Sequence, residues 1–119
     1  MYRKLLKSKI HRAVVTGTDL NYEGSITIDK DLLDQADLHE YEFVQVVNIT
    51  NGLRFESYIV LGEPGSGIIE LNGAAARLAY QGDRIIIMSY VLVDEPLLDK
   101  WQPTILLVND QNQVQEILC

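Results

Sequence analysis

FVQVVNITNGLRFESYIVL, residues 43–61, holds two strand-length apolar runs on either side of an Asn-Gly pair. Val and Ile are stiff at χ1 and pack well on a pleated surface, so such runs favour strands. Asn51-Gly52 is a two-residue hairpin signal, because both positions of the matching tight turn want positive φ. The segment predicts strands over Phe43–Thr50 and Leu53–Leu61, folded back on each other. Outward from it, Ala13–Thr16, Ser25–Ile28, Ile68–Leu71, Arg84–Val93, Thr104–Val108 and Val114–Leu118 repeat the pattern, separated by turn residues. The uninterrupted Ile85-Ile86-Ile87 predicts a strand buried on both faces.

Helical signals are short. Asp29 is placed to cap a turn or two over Asp31–Ala36, Asn72 to cap Gly73–Ala79, and Glu95–Trp101 supplies a third segment. The glycines of Gly62-Glu63-Pro64-Gly65-Ser66-Gly67 lack the spacing and the Lys-Ser/Thr ending of a phosphate loop, so this segment reads as a turn. Many short strands with small helices at the corners imply a mainly β domain closed as a barrel. No internal repeat, linker or low-complexity stretch divides the chain, so residues 1–119 read as one domain.

Composition narrows the function. The net charge of −7 argues against a nucleic-acid partner, since phosphate contacts need a basic face. No apolar run approaches the length of a membrane span, and the basic N-terminal segment is not followed by a signal-type apolar stretch. The expected location is the cytoplasm. Cys119 is the only cysteine and the last residue, so it reads as a tail residue. No intrachain disulfide is possible, and no cysteine cluster is present to hold a metal. The basic residues are unevenly placed: Arg3, Lys4, Lys7, Lys9 and Arg12 are five of ten and all precede Asp19, the first acidic residue. This segment is either a solvated arm or, together with Arg54, the positive wall of a pocket for a small anion.

The residues with the most reactive potential are Tyr22-Glu23-Gly24-Ser25, just ahead of the strand-like Ile26-Thr27-Ile28. A Gly-Ser bond held in a strained turn lets the serine hydroxyl attack the preceding carbonyl and convert an amide into an ester. Elimination of that ester and hydrolysis of the resulting dehydroalanine would leave an N-terminal pyruvoyl ketone in place of Ser25 and release ammonia. Most Gly-Ser pairs are ordinary turns, so the remaining motifs must decide.

Lys9-Ile10-His11-Arg12, Tyr22-Glu23-Gly24-Ser25, Asn48–Phe55 with Asn51-Gly52-Leu53-Arg54 inside it, Tyr58, and Asn72-Gly73-Ala74-Ala75-Ala76 occur in this order along the chain. The set closely resembles the aspartate 1-decarboxylase family over essentially the whole sequence. The resemblance implies a double-psi β-barrel, a homotetramer with active sites between subunits, and self-cleavage at Gly24-Ser25. The products would be a β chain of residues 1–24 and an α chain of residues 25–119 that begins with the pyruvoyl cofactor. It further implies decarboxylation of L-aspartate to β-alanine for pantothenate and coenzyme A synthesis, through a Schiff base on the pyruvoyl ketone. Whether an accessory maturation factor acts is left open.

Residue by residue, the resemblance gives Tyr58 the role of proton donor. Arg54 and Lys9 become the cations for the substrate's charged groups, without assigning one cation to one carboxylate. Ser57, Asn72, Gly73, Ala74 and Ala75 are substrate-binding candidates, while Gly24, His11 and Tyr22 support the site. Arg54 suits this role chemically because its planar fork matches a carboxylate. Gly73-Ala74-Ala75 at a helix start exposes backbone N–H groups to an anion. In extended strands Lys9 and His11 share a face, as do Arg54 and Tyr58, about 13 Å apart. Ser57 departs from the family's usual threonine; it keeps the hydroxyl but loses the methyl that restricts χ1, which implies slower self-cleavage. The competing reading is a non-catalytic double-psi barrel acting as an oligomeric binding or regulatory module. Such a module has no need of Ser25, Arg54 and Tyr58 together.

Overall fold

In the computed structural model of the protein, which describes residues 1–118, the apolar run around Ile85-Ile86-Ile87 forms the long strand Arg84–Asp94. Cys119 lies outside the described residues. In chain order the strands are β1 (Tyr2–Val14), β2 (Gly17–Asp19), β3 (Ser25–Asp29), β4 (Phe43–Asn48), β5 (Arg54–Gly62), β6 (Ile69–Asn72), β7 (Arg84–Asp94), β8 (Thr104–Val108) and β9 (Val114–Leu118). They form one nine-stranded mixed sheet in the order β2-β6-β3-β5-β4-β7-β1-β8-β9. A single α-helix, α1 (Lys30–Ala36), and two 3-10 segments at Gly73–Arg77 and Glu95–Lys100 sit at its corners. The fold is mainly β and barrel-like with short helices, as the strand pattern predicts.

The core follows from pleating. Ile10, Ile26, Ile28, Ile59, Ile69, Leu71, Ile85, Ile87 and Leu106 are fully buried and belong to one cluster. Curvature brings the sheet back toward itself: past the end of β1, Thr16 N–H donates to Ile69 O at 2.8 Å, and Thr16 Oγ1 accepts from Ile69 N at 3.0 Å. The chain thus passes from the β7-β1-β8 side to the β6 side within a few residues.

Four expectations change. The basic N-terminal segment is not a solvated arm but β1, paired antiparallel to β7 and parallel to β8. Its charged residues alternate with Ser8, Ile10 and Ala13, all fully buried, a pattern hidden by the density of Lys and Arg. Along β7, Ile85 and Ile87 are buried but Ile86 is only half-covered, so the strand has one core face rather than two. The 43–61 hairpin forms, with Val47 opposite Arg54, but through a longer loop than two residues. Asn48 N–H donates to Leu53 O and Gly52 N–H to Asn48 O, each at 2.8 Å. Only Gly52 takes positive φ (76°); Asn51 instead accepts from Leu53 N through its side chain at 2.9 Å. Finally, Asn72 has extended backbone before the 3-10 segment but gives it no side-chain cap.

Asp29 behaves as predicted and does more. It caps α1 by accepting from Asp31 N at 2.8 Å, and also accepts from Gly65 N at 3.0 Å and Gly67 N at 2.8 Å. One buried carboxylate therefore holds both the helix start and the Gly62–Gly67 turn. Asp29→Ala strands these donors, and stability should fall by about 2–4 kcal/mol in urea unfolding, with Asp29→Asn recovering part of the loss.

Candidate active site

Strand β3 lies between β6 and β5. Ser25 pairs with Asn72 on β6, and on the other side Ile26 pairs with Ile59 of parallel β5, which sets Ser25 beside Tyr58. Ile26, Ile59 and Leu71 fill the core, so pleat alternation turns Ser25, Thr27, Asn72 and Tyr58 to the opposite, outer face. Tyr58 stays partly exposed there, at 37%. Ser25 is nonetheless 0% exposed and Asn72 only 1%.

The cover comes from the chain itself. Gly73 has φ of 65°, and a Cβ at this position would lie 2.8 Å from Gly24 Cα and N and 2.9 Å from Tyr22 O. The main chain of Gly73 is thus pressed onto the segment that precedes Ser25. A Cβ on Gly24, by contrast, would meet nothing within 4 Å. Asn72 then reaches across: its Nδ2 donates to Ser25 Oγ and to Thr27 Oγ1, each at 2.9 Å. Ser25 Oγ donates to Glu23 O at 3.3 Å. Asn72 Oδ1 is buried without a partner. Ser25 is thus a buried hydroxyl fixed by a buried amide, directly after a glycine.

Other predicted residues distribute unevenly. Arg54 shares the outer face of β5 with Tyr58, four positions away, is exposed, and forms no ion pair among the described residues. Ser57 sits one residue along, opposite Val44, and alternation sends its side chain away from the face that carries Ser25. Tyr22 is 51% exposed beside the covering segment. Ala74 is exposed and Ala75 half-buried, one turn beyond Gly73.

Lys9 and His11 lie on a strand that does not pair with β3. They share the outer face of β1, as predicted, but β5, β4 and β7 stand between β1 and β3. Lys9 makes no ion pair among the described residues, whereas neighbouring Lys7 is engaged by Glu42 Oε2 at 3.1 Å. His11 Nδ1 is buried without a partner, and the ring lines an open cavity of about 590 Å³ with Arg12, Arg84 and Asp110. Burial, then the charges of Lys9 and Arg12, lower the His11 pKa from its ordinary value, which favours the neutral ring. Thr27 is the residue that sequence reading passed over; its signal was its place two residues after Ser25 on a strand.

The family profile for aspartate decarboxylase matches residues 1–115. The chain belongs to that family. It is similar to an aspartate 1-decarboxylase of Clostridium botulinum (strain 657 / Type Ba4), 56% identical over 115 residues that cover 95% of this chain and 89% of the relative. An aspartate 1-decarboxylase of Halalkalibacterium halodurans is 52% identical over 118 residues, 99% of this chain and 93% of its own. One from Clostridium acetobutylicum is 52% identical over 117 residues, covering 98% and 92%. The likeness spans the whole site, from β1 through the Gly73–Arg77 segment, so the decarboxylase reading prevails over a non-catalytic barrel. Among the described residues no group of three or more His, Cys, Asp or Glu is placed to hold a metal. Among the same residues no helix is long and apolar enough to cross a membrane.

The contact between Gly73 and Gly24 is open to test. Gly73→Ala adds a methyl where the neighbours are backbone, at a φ that L side chains resist, so it should cost about 2–4 kcal/mol in thermal unfolding. It should also speed chymotrypsin cutting after Tyr22, whereas Ala74→Ser should change neither.

Proposed function

We propose that this chain is a cytoplasmic, pyruvoyl-dependent aspartate 1-decarboxylase that converts L-aspartate to β-alanine and carbon dioxide for pantothenate synthesis. It makes its cofactor from Ser25 by splitting itself into residues 1–24 and 25–119. One observation carries the reading: a fully buried Ser25 whose hydroxyl is held by the Asn72 amide at 2.9 Å, directly after a glycine. In an ordinary turn such a serine would face water.

In self-cleavage, Ser25 Oγ attacks the Gly24 carbonyl carbon; the ester C–O bond forms, the amide C–N bond breaks, and the hydroxyl proton ends on the Ser25 nitrogen. Loss of the Ser25 α-proton then expels Gly24 as a carboxylate. Water adds to the imine tautomer of the dehydroalanine and ammonia leaves. The Ser25 Cβ would end as the methyl of the pyruvoyl group, and Asn72 Nδ2, which held Oγ, would be left as a free donor beside it. The pyruvoyl ketone supplies an electron sink for the pair left behind when the substrate's α-carboxylate departs.

The chain's own side chains do the rest. Tyr58, in the strand beside Ser25, delivers its phenolic proton to the carbon that lost the carboxylate. Arg54 holds a substrate carboxylate from the same face of β5. Asn72 Oδ1, buried and unpaired, offers an acceptor to the substrate's nitrogen. Lys9 and His11 enter from β1 of another copy, since three strands separate them from Ser25 within one chain. A homotetramer is the expected assembly, and exposed Tyr22, Tyr41, Phe43 and Tyr58 supply aromatic surface for it around the site.

Intact mass spectrometry of the purified chain should show two fragments split after Gly24, the larger with a blocked N-terminus. Carbon dioxide should be released from L-aspartate and not from L-glutamate, and Ser25→Ala should abolish both cleavage and turnover. An uncut chain that still turns over aspartate would refute the cofactor's origin. Tyr58→Phe should cleave normally yet lose about 100-fold or more in kcat, because proton transfer and not the electron sink is removed.

A further inference from the structure

We propose that Thr27 is a positioning residue for self-cleavage: its hydroxyl holds the Asn72 amide with the NH₂ group toward Ser25. The inference rests on the reading of Ser25 as the cleavage site. Asn72 Nδ2 has two hydrogens, and its two acceptors are Ser25 Oγ and Thr27 Oγ1, each at 2.9 Å. Both hydrogens are used, and Asn72 Oδ1 faces away without a partner. Asn72 is 1% exposed, so its amide depends on these two side-chain acceptors within the fold.

The consequence falls on Ser25. With the amide donating to one lone pair of Oγ and the hydroxyl proton directed to Glu23 O at 3.3 Å, one lone pair stays free for the bond to the Gly24 carbonyl carbon. Without the Thr27 hydroxyl, one hydrogen of the buried amide loses its acceptor within the fold. The amide then turns or loosens, and Ser25 loses the donor that fixes its rotamer. Thr27 is suited to this task because β3 turns it to the same face as Ser25 and because branching restricts its χ1. Opposite it in the β6 register is Glu70, whose side chain makes no hydrogen bond to the Thr27 hydroxyl among the described residues.

The test compares rates of fragment appearance from freshly purified full chain. Thr27→Val removes only the hydroxyl and keeps the branched shape, and it should slow cleavage after Gly24 about tenfold, the size of one lost hydrogen bond. Thr27→Ser keeps the hydroxyl and should cleave within about twofold of the parent. Because Thr27 acts through Asn72, Thr27→Val should add no further slowing on an Asn72→Ala background. A parent-like rate for Thr27→Val overturns the proposal, as does a full tenfold effect that persists without the Asn72 amide. In the Ser25→Ala chain, which has no nucleophile to cleave with, the Asn72 side-chain amide NMR signals report the contact separately. They should shift and exchange faster with solvent when Val replaces Thr27, and unchanged signals would sink the inference. A parent chain that never cleaves would instead refute the role of Ser25, with the amide signals still judging the contact.

Discussion

The alternation of β3 is the constraint from which the site follows. Ile26 and Ile28 are fully buried in the core, flanked by Ile59 and Leu71 on the neighbouring strands. A slip of one residue would send those isoleucines to the surface and Ser25 inward, so apolar burial fixes the register tightly. The same rows fix Asn72 on one side of Ser25 and Tyr58 on the other. Placement of the reactive hydroxyl is thus a by-product of packing on the far side of the strand. Once there, it is kept from water by a glycine-on-glycine contact that any side chain at Gly73 would break.

Much of this was legible in the sequence, for identifiable reasons. The runs 43–61 and 84–93 are long, branched and punctuated; both became strands, and the two halves of the first pair as a hairpin. The cap at Asp29 could be read because a short carboxylate before Asp31 has a local partner two residues away. Features that depend on distant partners were not readable. The alternation of β1 is masked by Lys and Arg on its outer face, so a strand looked like a basic arm. Asn72 looked like a helix cap, but its partners are Ser25 and Thr27, 47 and 45 residues earlier. Local propensity carries no information about a neighbour recruited by sheet order. Thr27 was invisible for the same reason.

Charge adds a second layer. With a net charge of −7, the chain repels a dicarboxylate at long range unless cations are concentrated near the site. Half of its basic residues lie on β1, and there the chain sorts them: Lys7 is neutralised by Glu42, Lys4 sits over the Tyr90 ring at 5.2 Å, and Lys9 is left without an ion pair among the described residues. Burial beside Lys9 and Arg12 favours a neutral His11, so the ring adds hydrogen-bonding capacity without further charge.

The separation of β1 from β3 bears on maturation. Ser25, Asn72, Thr27 and the Gly73 contact all belong to one protomer, whereas Lys9 and His11 are three strands removed from them. The surroundings of the Gly24-Ser25 peptide, with Arg54 on β5, are therefore assembled by folding alone, while under the proposed function Lys9 and His11 come from another copy. On that reading, cleavage and turnover place different demands on assembly: a dilute chain would retain the surroundings of Ser25 and lack Lys9 and His11. Under the proposed function, association would then control when the mature chain meets its substrate, because Lys9 arrives only with the second copy.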